Sequence, residues 1–294
     1  MPATRACGQC RCGWRGRSLP VAISEAEERR FYDDHYSRFL QLPDADLVFN
    51  RAILLRDIEN PSHPAYERRK LYRMLLEAIL GRPLAGCRTL EYGCGTGDWA
   101  LVMAAEGAEA TLLDLSPVAI EVGLRRARAS GVASRVRGVS RDASELSCFE
   151  TGEFDLIVAC AALHHTLKYP NALAELARIL KPGGRILVAE TYGNNPLLNA
   201  ARRMQWRLSS LPQEAGEEII VSRAEIALLR QRFPLVKVTP VNLLAMAKRF
   251  FRGRFEKRGV RGLIGGLELI DEMLLWICRP LRNYCGEVLI EIEG

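Results

Sequence analysis

The sequence predicts an α/β protein built on a mostly parallel sheet covered on both faces, and three observations carry that prediction. From Arg88 onward, short apolar runs alternate with helix-like stretches of about ten residues, the pattern of strands joined by crossover helices. The run FDLIVACAAL at 154–163 is too uniformly apolar for a strand with one face in water. A glycine-rich turn, GCGTG at 93–97, stands where the first strand hands over to the first helix of that alternation.

The elements follow in order. A polar tail to about residue 24 is expected to be flexible. Ser24 is a suitable N-cap for a helical stretch over 24–42. A second helix follows Asn60, with Tyr66, Leu71, Met74, Leu75 and Ile79 in one apolar stripe and Gly81 and Pro83 as its stop. Residues 25–83 thus read as an N-terminal helical lid. The alternating core comes next: strand 88–93, helix 97–107, strand 110–116, a helix from Pro117 to 131, strand 134–143, strand 154–163, helix 171–180 and strand 184–190. After Glu190 the alternation breaks into a loop and helix, an amphipathic helix at 222–233 and a strand-like run at 234–243. About forty residues of basic and apolar helix precede a last strand, CGEVLIEIE, at 285–293. Two late strands bracketing a helical insertion suggest a sheet edge finished by an antiparallel pair. The expected division is a tail (1–24), the lid (25–83), a core (84–242), the insertion (243–283) and the final strand of the core (284–294).

Composition limits the function classes. The chain of 294 residues is 48% hydrophobic and 26% charged, as in a soluble globular protein with one large core. Lys and Arg exceed Asp and Glu by six, enough for a basic patch but weak support for nucleic acid. The arginine-containing start has no continuous apolar core followed by a cleavage site, and no apolar run is long enough to span a bilayer. Nine cysteines is an odd count, and Cys87, Cys94, Cys148 and Cys160 fall in core-like elements, which suits buried thiols in a reducing cytoplasm. Cys7, Cys10 and Cys12 lie close together but lack a second pair, so no metal site is expected there.

The glycine turn raises the question of its ligand. Three glycines in five residues permit positive φ and close approach of a ligand to the backbone, at an entropic cost that a plain turn rarely needs. A dinucleotide site would follow Gly-x-Gly-x-x-Gly with an acid about twenty residues on. Asp114 lies 17 residues beyond Gly97, but the position due for the third glycine is Asp98. Glu91, two residues before the turn, adds negative charge where a pyrophosphate would sit. Flanking carboxylates suit a ligand with adenosine at one end and cationic groups at the other.

LEYGCGTG at 90–97 resembles the first motif of the class I S-adenosylmethionine (SAM)-dependent methyltransferases, and LLDLS, RDASEL, FDLIVACAALHH and LARILKPGGRILVAE follow in that family's order. The similarity covers roughly 70–192, and within the family it is nearest the quinone-biosynthesis-type and small-molecule enzymes. It implies a Rossmann-like seven-stranded sheet of order 3-2-1-4-5-7-6 with strand 7 antiparallel, and SAM across the ends of strands 1 and 2. The site residues it implies for SAM are Glu91, Gly93, Cys94, Gly95, Gly97, Asp114, Leu115, Asp142, Ala143 and Cys160. Asp114 would grip the ribose hydroxyls, Asp142 would accept from the adenine amino group, and Ala143 would offer its backbone.

Methyl transfer from a sulfonium needs alignment first and a base only if the nucleophile arrives protonated. His164 and His165, after the fourth strand, titrate in the right range for that base. The alternative for the pair is packing and loop shaping. Tyr32 and Tyr36 share a face of the N-terminal helix and are expected either to reach the methionine end or the substrate, or to pack in the core. Glu190 and Tyr192 follow strand 5 and could also face the pocket. In the insertion, a basic run from Lys248 to Arg261 precedes a stripe of Leu263, Leu267, Ile270, Leu274 and Ile277. That stripe is expected to be buried in a lid or subunit contact, or to meet an anionic membrane surface over 248–278. The expected activity is methyl transfer from SAM to O, N, S or C of a small-molecule or lipid-like acceptor. A nucleic-acid methyltransferase and a non-catalytic SAM-binding protein are the competing readings.

Overall fold

A computed structural model describes residues 25–167, 169, 171–208 and 220–294. The cysteines at 7, 10 and 12 and the expected tail lie outside the described residues. In chain order the helices are α1 (Glu25–Ser37), α2 (Asp44–Leu47), α3 (Arg51–Glu59) and α4 (Arg69–Leu80), after which the sheet begins. Then come β1 (Arg88–Tyr92), α5 (Asp98–Ala105), β2 (Glu109–Asp114), α6 (Pro117–Ala129), β3 (Val136–Ser140), β4 (Phe154–Cys160), α7 (Leu163–Thr166), α8 (Ala172–Ile179) and β5 (Leu180–Thr191). The chain finishes with α9 (Pro196–Leu208), α10 (Arg223–Arg232), β6 (Leu235–Val241), α11 (Arg258–Ile277) and β7 (Glu287–Glu293).

The seven strands form one sheet of order β3-β2-β1-β4-β5-β7-β6. β1 to β5 pair in parallel and β7 runs antiparallel to both β5 and β6. The strand order reverses between β1 and β4, which opens a crevice at their carboxyl ends. β4 is buried along nearly its whole length, and its neighbours β1 and β5 share that burial. Pro240, which cannot donate to a ladder, is tolerated because β6 is an edge strand.

Local chemistry sets the helix ends. Ser116 caps α6 by accepting from Ala119 N–H, and Pro117 fills its first turn. Ser222 and Glu225 form a reciprocal capping box on α10. Asn50 Oδ1 accepts from Ile53 N–H and starts α3, a helix that the sequence patterns do not predict.

One expected division changes. Residues 25–83 are not one lid: α4 buries Leu71, Leu75, Leu76 and Ile79 in the cluster that covers one face of the sheet. Full burial of such side chains contributes about 1.5–3 kcal/mol each, so α4 belongs to the core layer. Only α1, which has no buried residue, lies over the crevice.

The helical insertion lies between β6 and β7. α11 turns Ile264, Asp271 and Leu275 inward, while Leu263, Leu269, Ile270, Met273, Trp276 and Ile277 face solvent. The expected stripe is therefore largely the outward face. The buried Asp271 accepts from the backbone N–H of Leu243, Leu244 and Ala245, so it starts the 3-10 turn 244–251 from across the insertion. Lys248 leaves the surface altogether: it is 1% exposed and ion-paired with Glu287 at 2.8 Å. Among the described residues, no helix is long and apolar enough to cross a membrane.

Candidate active site

A cleft of about 620 Å³, open to solvent on one side, lies at the carboxyl ends of β1, β2 and β4. Gly93, Asp114, Leu115, Asp142, Ala143, Ala161, Ala162, Thr166 and Tyr169 line it, together with Tyr92, His165 and three α1 residues, Glu28, Tyr32 and Tyr36.

The turn that opens α5 is built from three left-handed glycines, Gly93 at φ 68°, Gly95 at φ 50° and Gly97 at φ 81°. A side chain at Gly93 would meet Ala162, and one at Gly95 would meet the Tyr36 hydroxyl. At Gly97 the neighbour is Leu112, so each glycine lets another group pack directly against the turn, and Gly93 lines the cleft. Gly95 N–H donates to Asp114 Oδ2 at 2.8 Å, and Ser116 N–H donates to Asp114 Oδ1 at 2.9 Å. These bonds aim the carboxylate along the cleft and still leave each oxygen a lone pair. Burial raises the Asp114 pKa, and the same backbone bonds oppose the rise.

α1 is docked over this turn. Ser116 Oγ donates to Asp33, and Tyr32 and Tyr36 stack 6.1 Å apart. Burial first, and then the Asp114 charge, push the Tyr36 phenol well above its usual range, so it stays an O–H group. Tyr92 Oη donates to Ala143 O at 2.7 Å and ties the end of β1 to the loop after β3. Asp142 accepts from Ser144 N–H and shapes the same loop.

The two histidines separate. His164 is buried, with Nδ1 2.9 Å from Glu190 Oε2, and does not line the cleft. His165 does, with Nε2 3.3 Å from Tyr32 Oη and Nδ1 3.5 Å from Glu28. His165 is the histidine that faces the cleft, and Glu190 holds its neighbour.

Several residues expected at the cleft are not part of its wall. Glu91 is 3% exposed; it accepts from Ala100 N–H at 2.7 Å and from Trp99 N–H at 3.3 Å, which caps the buried start of α5. Burial pushes its pKa up to about 8. Cys94 is buried inside the turn, and Gly97 packs against Leu112. The Trp99 indole N–H donates toward the Cys160 sulfur, and burial nonetheless pushes the thiol up to about 12. Tyr192 is buried beside β7, where its N–H donates to Gly286 O. Strand geometry explains Glu91 and Cys160. Successive side chains of β1 point to opposite faces, so Tyr92 takes the cleft side and Glu91 the other. Cys160 is the last residue of β4, and Ala161 turns into the cleft wall beyond it.

Glu28, Tyr92, Ala161, Ala162, Thr166 and Tyr169 are the residues that the motifs miss. Glu28 was within reach of sequence reasoning, because it stands one turn before Tyr32 at the spacing that pairs Tyr32 with Tyr36. Ala161 is marked only by its backbone, at φ 54°.

The fold and cleft together fit an adenosine-bearing ligand. A carboxylate with spare acceptor capacity stands at the end of β2, a second stands after β3, and a bare glycine turn lies between them and the lid. They define a Rossmann-like nucleoside-binding protein. A family profile described as a methyltransferase domain matches residues 89–184. A ubiquinone/menaquinone biosynthesis C-methyltransferase, UbiE, of Rhizobium johnstonii is 30% identical over 185 residues, covering 60% of this chain and 71% of the relative. A demethylmenaquinone methyltransferase of Clavibacter sepedonicus is 38% identical over 108 residues, 37% of this chain, and the chain spans only 42% of that relative's length. The crystal structure of the [4+2]-cyclase SpnF superposes with a TM-score of 0.58 at 19% identity, over 94% of this chain and 98% of SpnF. The chain belongs to the class I SAM-dependent methyltransferase family.

Proposed function

We propose that this protein transfers a methyl group from SAM to an O, N, S or C nucleophile of a small-molecule or lipid-like acceptor in the cytoplasm. The observation that carries the proposal is the single cleft joining the Gly93 turn, Asp114 and the Asp142–Ala143 loop to His165 and the α1 tyrosines. The name of the Rhizobium relative favours carbon as the acceptor atom.

Bound SAM supplies an electrophilic methyl on a sulfonium, so the protein's task is alignment, exclusion of water and, for a protonated nucleophile, removal of a proton. Asp114 takes the ribose hydroxyls on its spare lone pairs, and Asp142 and Ala143 take the adenine edge. Tyr32 and Tyr36 close α1 over the methionine end. His165 Nε2, beside the Tyr32 hydroxyl, receives the acceptor's proton. Glu91 acts through the start of α5 rather than by contact, and Cys94 and Gly97 serve by letting the turn close. The six free cysteines among the described residues support a reducing compartment.

The outward face of α11 supports a peripheral contact with an anionic bilayer. Trp276 and Ile277 are 77% and 72% exposed, and exposed Arg254, Lys257, Arg258 and Arg279 flank the two ends of the helix. Lys248 takes no part in that contact.

Calorimetric titration with SAM, with NAD as control, tests the cleft, and labelled-methyl SAM incubated with small-molecule, lipid, RNA and protein fractions tests the reaction. SAM binding with label in the small-molecule or lipid fraction is expected. Tight NAD binding without a response to SAM would sink the proposal. Label in RNA would establish the nucleic-acid reading, and SAM binding with no label anywhere would establish a non-catalytic binder.

A further inference from the structure

Beside the donor cleft, at the ends of β5 and β7, four cationic side chains from three segments gather round one carboxylate. Glu287, the first residue of β7, is 1% exposed. It accepts from Lys248 Nζ at 2.8 Å and from Asn242, and Arg68 Nε lies 3.6 Å away. Lys248 and Arg249 come from the 244–251 turn, Arg68 from the turn before α4 and Arg202 from α9. Arg202 donates to the carbonyls of Tyr192 and Gly286 and to Asn199, none of which carries charge. Of the other acids near the cluster, Glu67 is held by both prongs of Arg252, Glu268 by Arg69 and Glu190 by His164.

Among the described residues the arrangement is therefore short of negative charge. Like charges gathered out of water repel one another and lose hydration, and a single carboxylate does not compensate four cations. Two donors also go unused: among the described residues, the buried Nε of Arg202 and that of Arg249 have no hydrogen-bond partner. Buried polar groups are nearly always satisfied, so orphaned guanidinium donors mark a place where an acceptor is missing. The titration directions agree. Burial, then Arg249, bring Arg202 down to about 10, and burial lowers Lys248 and Arg249 although Glu287 opposes it in both.

We propose that this cluster binds the oxyanion, a carboxylate or phosphate ester, of the methyl acceptor, with Arg202 and Arg249 as its donors. The inference rests on the methyltransferase reading of the cleft and names the acceptor's chemistry. The placement suits an anchor. Arg68 donates to Thr191 Oγ1 at the end of β5, close enough to Cys160 and Glu190 to respond to their charge. Glu190 in turn holds His164, next to His165 in the cleft wall. An acceptor held by its anion at the cluster lies across the ends of β5 and β4, with its body toward the methyl donor. Guanidinium forks match the paired oxygens of such anions.

The test uses the full chain saturated with S-adenosylhomocysteine, titrated calorimetrically with inorganic pyrophosphate, octanoate, octyl phosphate and neutral octanol. Octanoate and octyl phosphate should bind saturably and compete with pyrophosphate, and octanol should not compete. Arg202→Gln and Arg249→Gln should each weaken anion binding about tenfold, the loss expected for one charge-assisted contact, with S-adenosylhomocysteine affinity unchanged. Should either glutamine variant fold poorly, Arg202→Lys and Arg249→Lys keep the charge, remove the fork and should lose severalfold. Absence of saturable anion binding to the wild type, or variants that bind like it, overturns the proposal. Binding of pyrophosphate but of neither alkyl anion also overturns it, because the site would then hold a free inorganic anion. Failure of S-adenosylhomocysteine to bind counts against the methyltransferase reading instead, and the anion titrations remain readable without it.

Discussion

Glu91 should make the stability of this protein fall as pH rises through neutrality. Its carboxyl is 3% exposed and its pKa is pushed up to about 8 from 4.5, with burial the largest cause. Between those values the native state holds a proton that the unfolded chain has released, so stability declines with rising pH and the contribution is gone above about 8. The slope is ~1.4 kcal/mol per pH unit, and the full excursion is roughly 3–5 kcal/mol. Urea denaturation of the wild type and of Glu91→Gln at pH 5.5, 6.5, 7.5 and 8.5 isolates this group, since other titrations cancel in the difference. The variant gives up one acceptor for Trp99 or Ala100 N–H, an offset of about 1 kcal/mol that does not vary with pH. The wild type should lose its advantage over the variant steadily from pH 5.5 to 8 and then level off. Parallel curves for the two proteins would refute the reasoning. A sulfonium and ammonium bound nearby favour the ionised form, so SAM affinity should rise with pH over the same window in the wild type only.

Asp114→Asn should weaken SAM binding about tenfold to a hundredfold by calorimetry while the melting temperature moves little, because the amide oxygen still accepts one of the Gly95 and Ser116 bonds. His165→Gln should lower kcat about 10²- to 10⁴-fold with SAM affinity little changed, while His164→Gln should act mainly on stability. Lys248→Met should cost about 3 kcal/mol in urea denaturation, the low end for a broken buried pair, because Arg68 and Asn242 still face Glu287. Trp276→Ser combined with Ile277→Ser should abolish co-sedimentation with anionic vesicles and leave turnover of a water-soluble acceptor unchanged.

The fold was legible because strand and helix periods differ and the motifs fall at their junctions. The sheet order and the antiparallel β7 follow from the family resemblance and match the structure. Which side each strand residue faces was not legible. Glu91 and Tyr92 are adjacent in one motif, and only the packing of α5 against β1 decides that the acid goes under the helix and the phenol into the cleft. The inward side of α11 was not legible for a related reason: it carries apolar residues on both faces, so periodicity identifies a helix but not which side packs against the core. The inward side is fixed by Asp271 and its three backbone donors, a polar contact with no hydrophobic signal. Lys248 looked like part of a solvated basic run because its partner, Glu287, lies 39 residues away.

That pair has a consequence for engineering. The stretch between β6 and β7 looks replaceable, a cassette to be shortened or exchanged between relatives. Cutting it out removes Lys248 from a carboxylate that β7 keeps inside the sheet, and takes Asp271 away together with the backbone it organises. A graft across this junction has to carry its own cation for Glu287 or replace that glutamate as well. The loop and the strand it leads into are one inheritable unit.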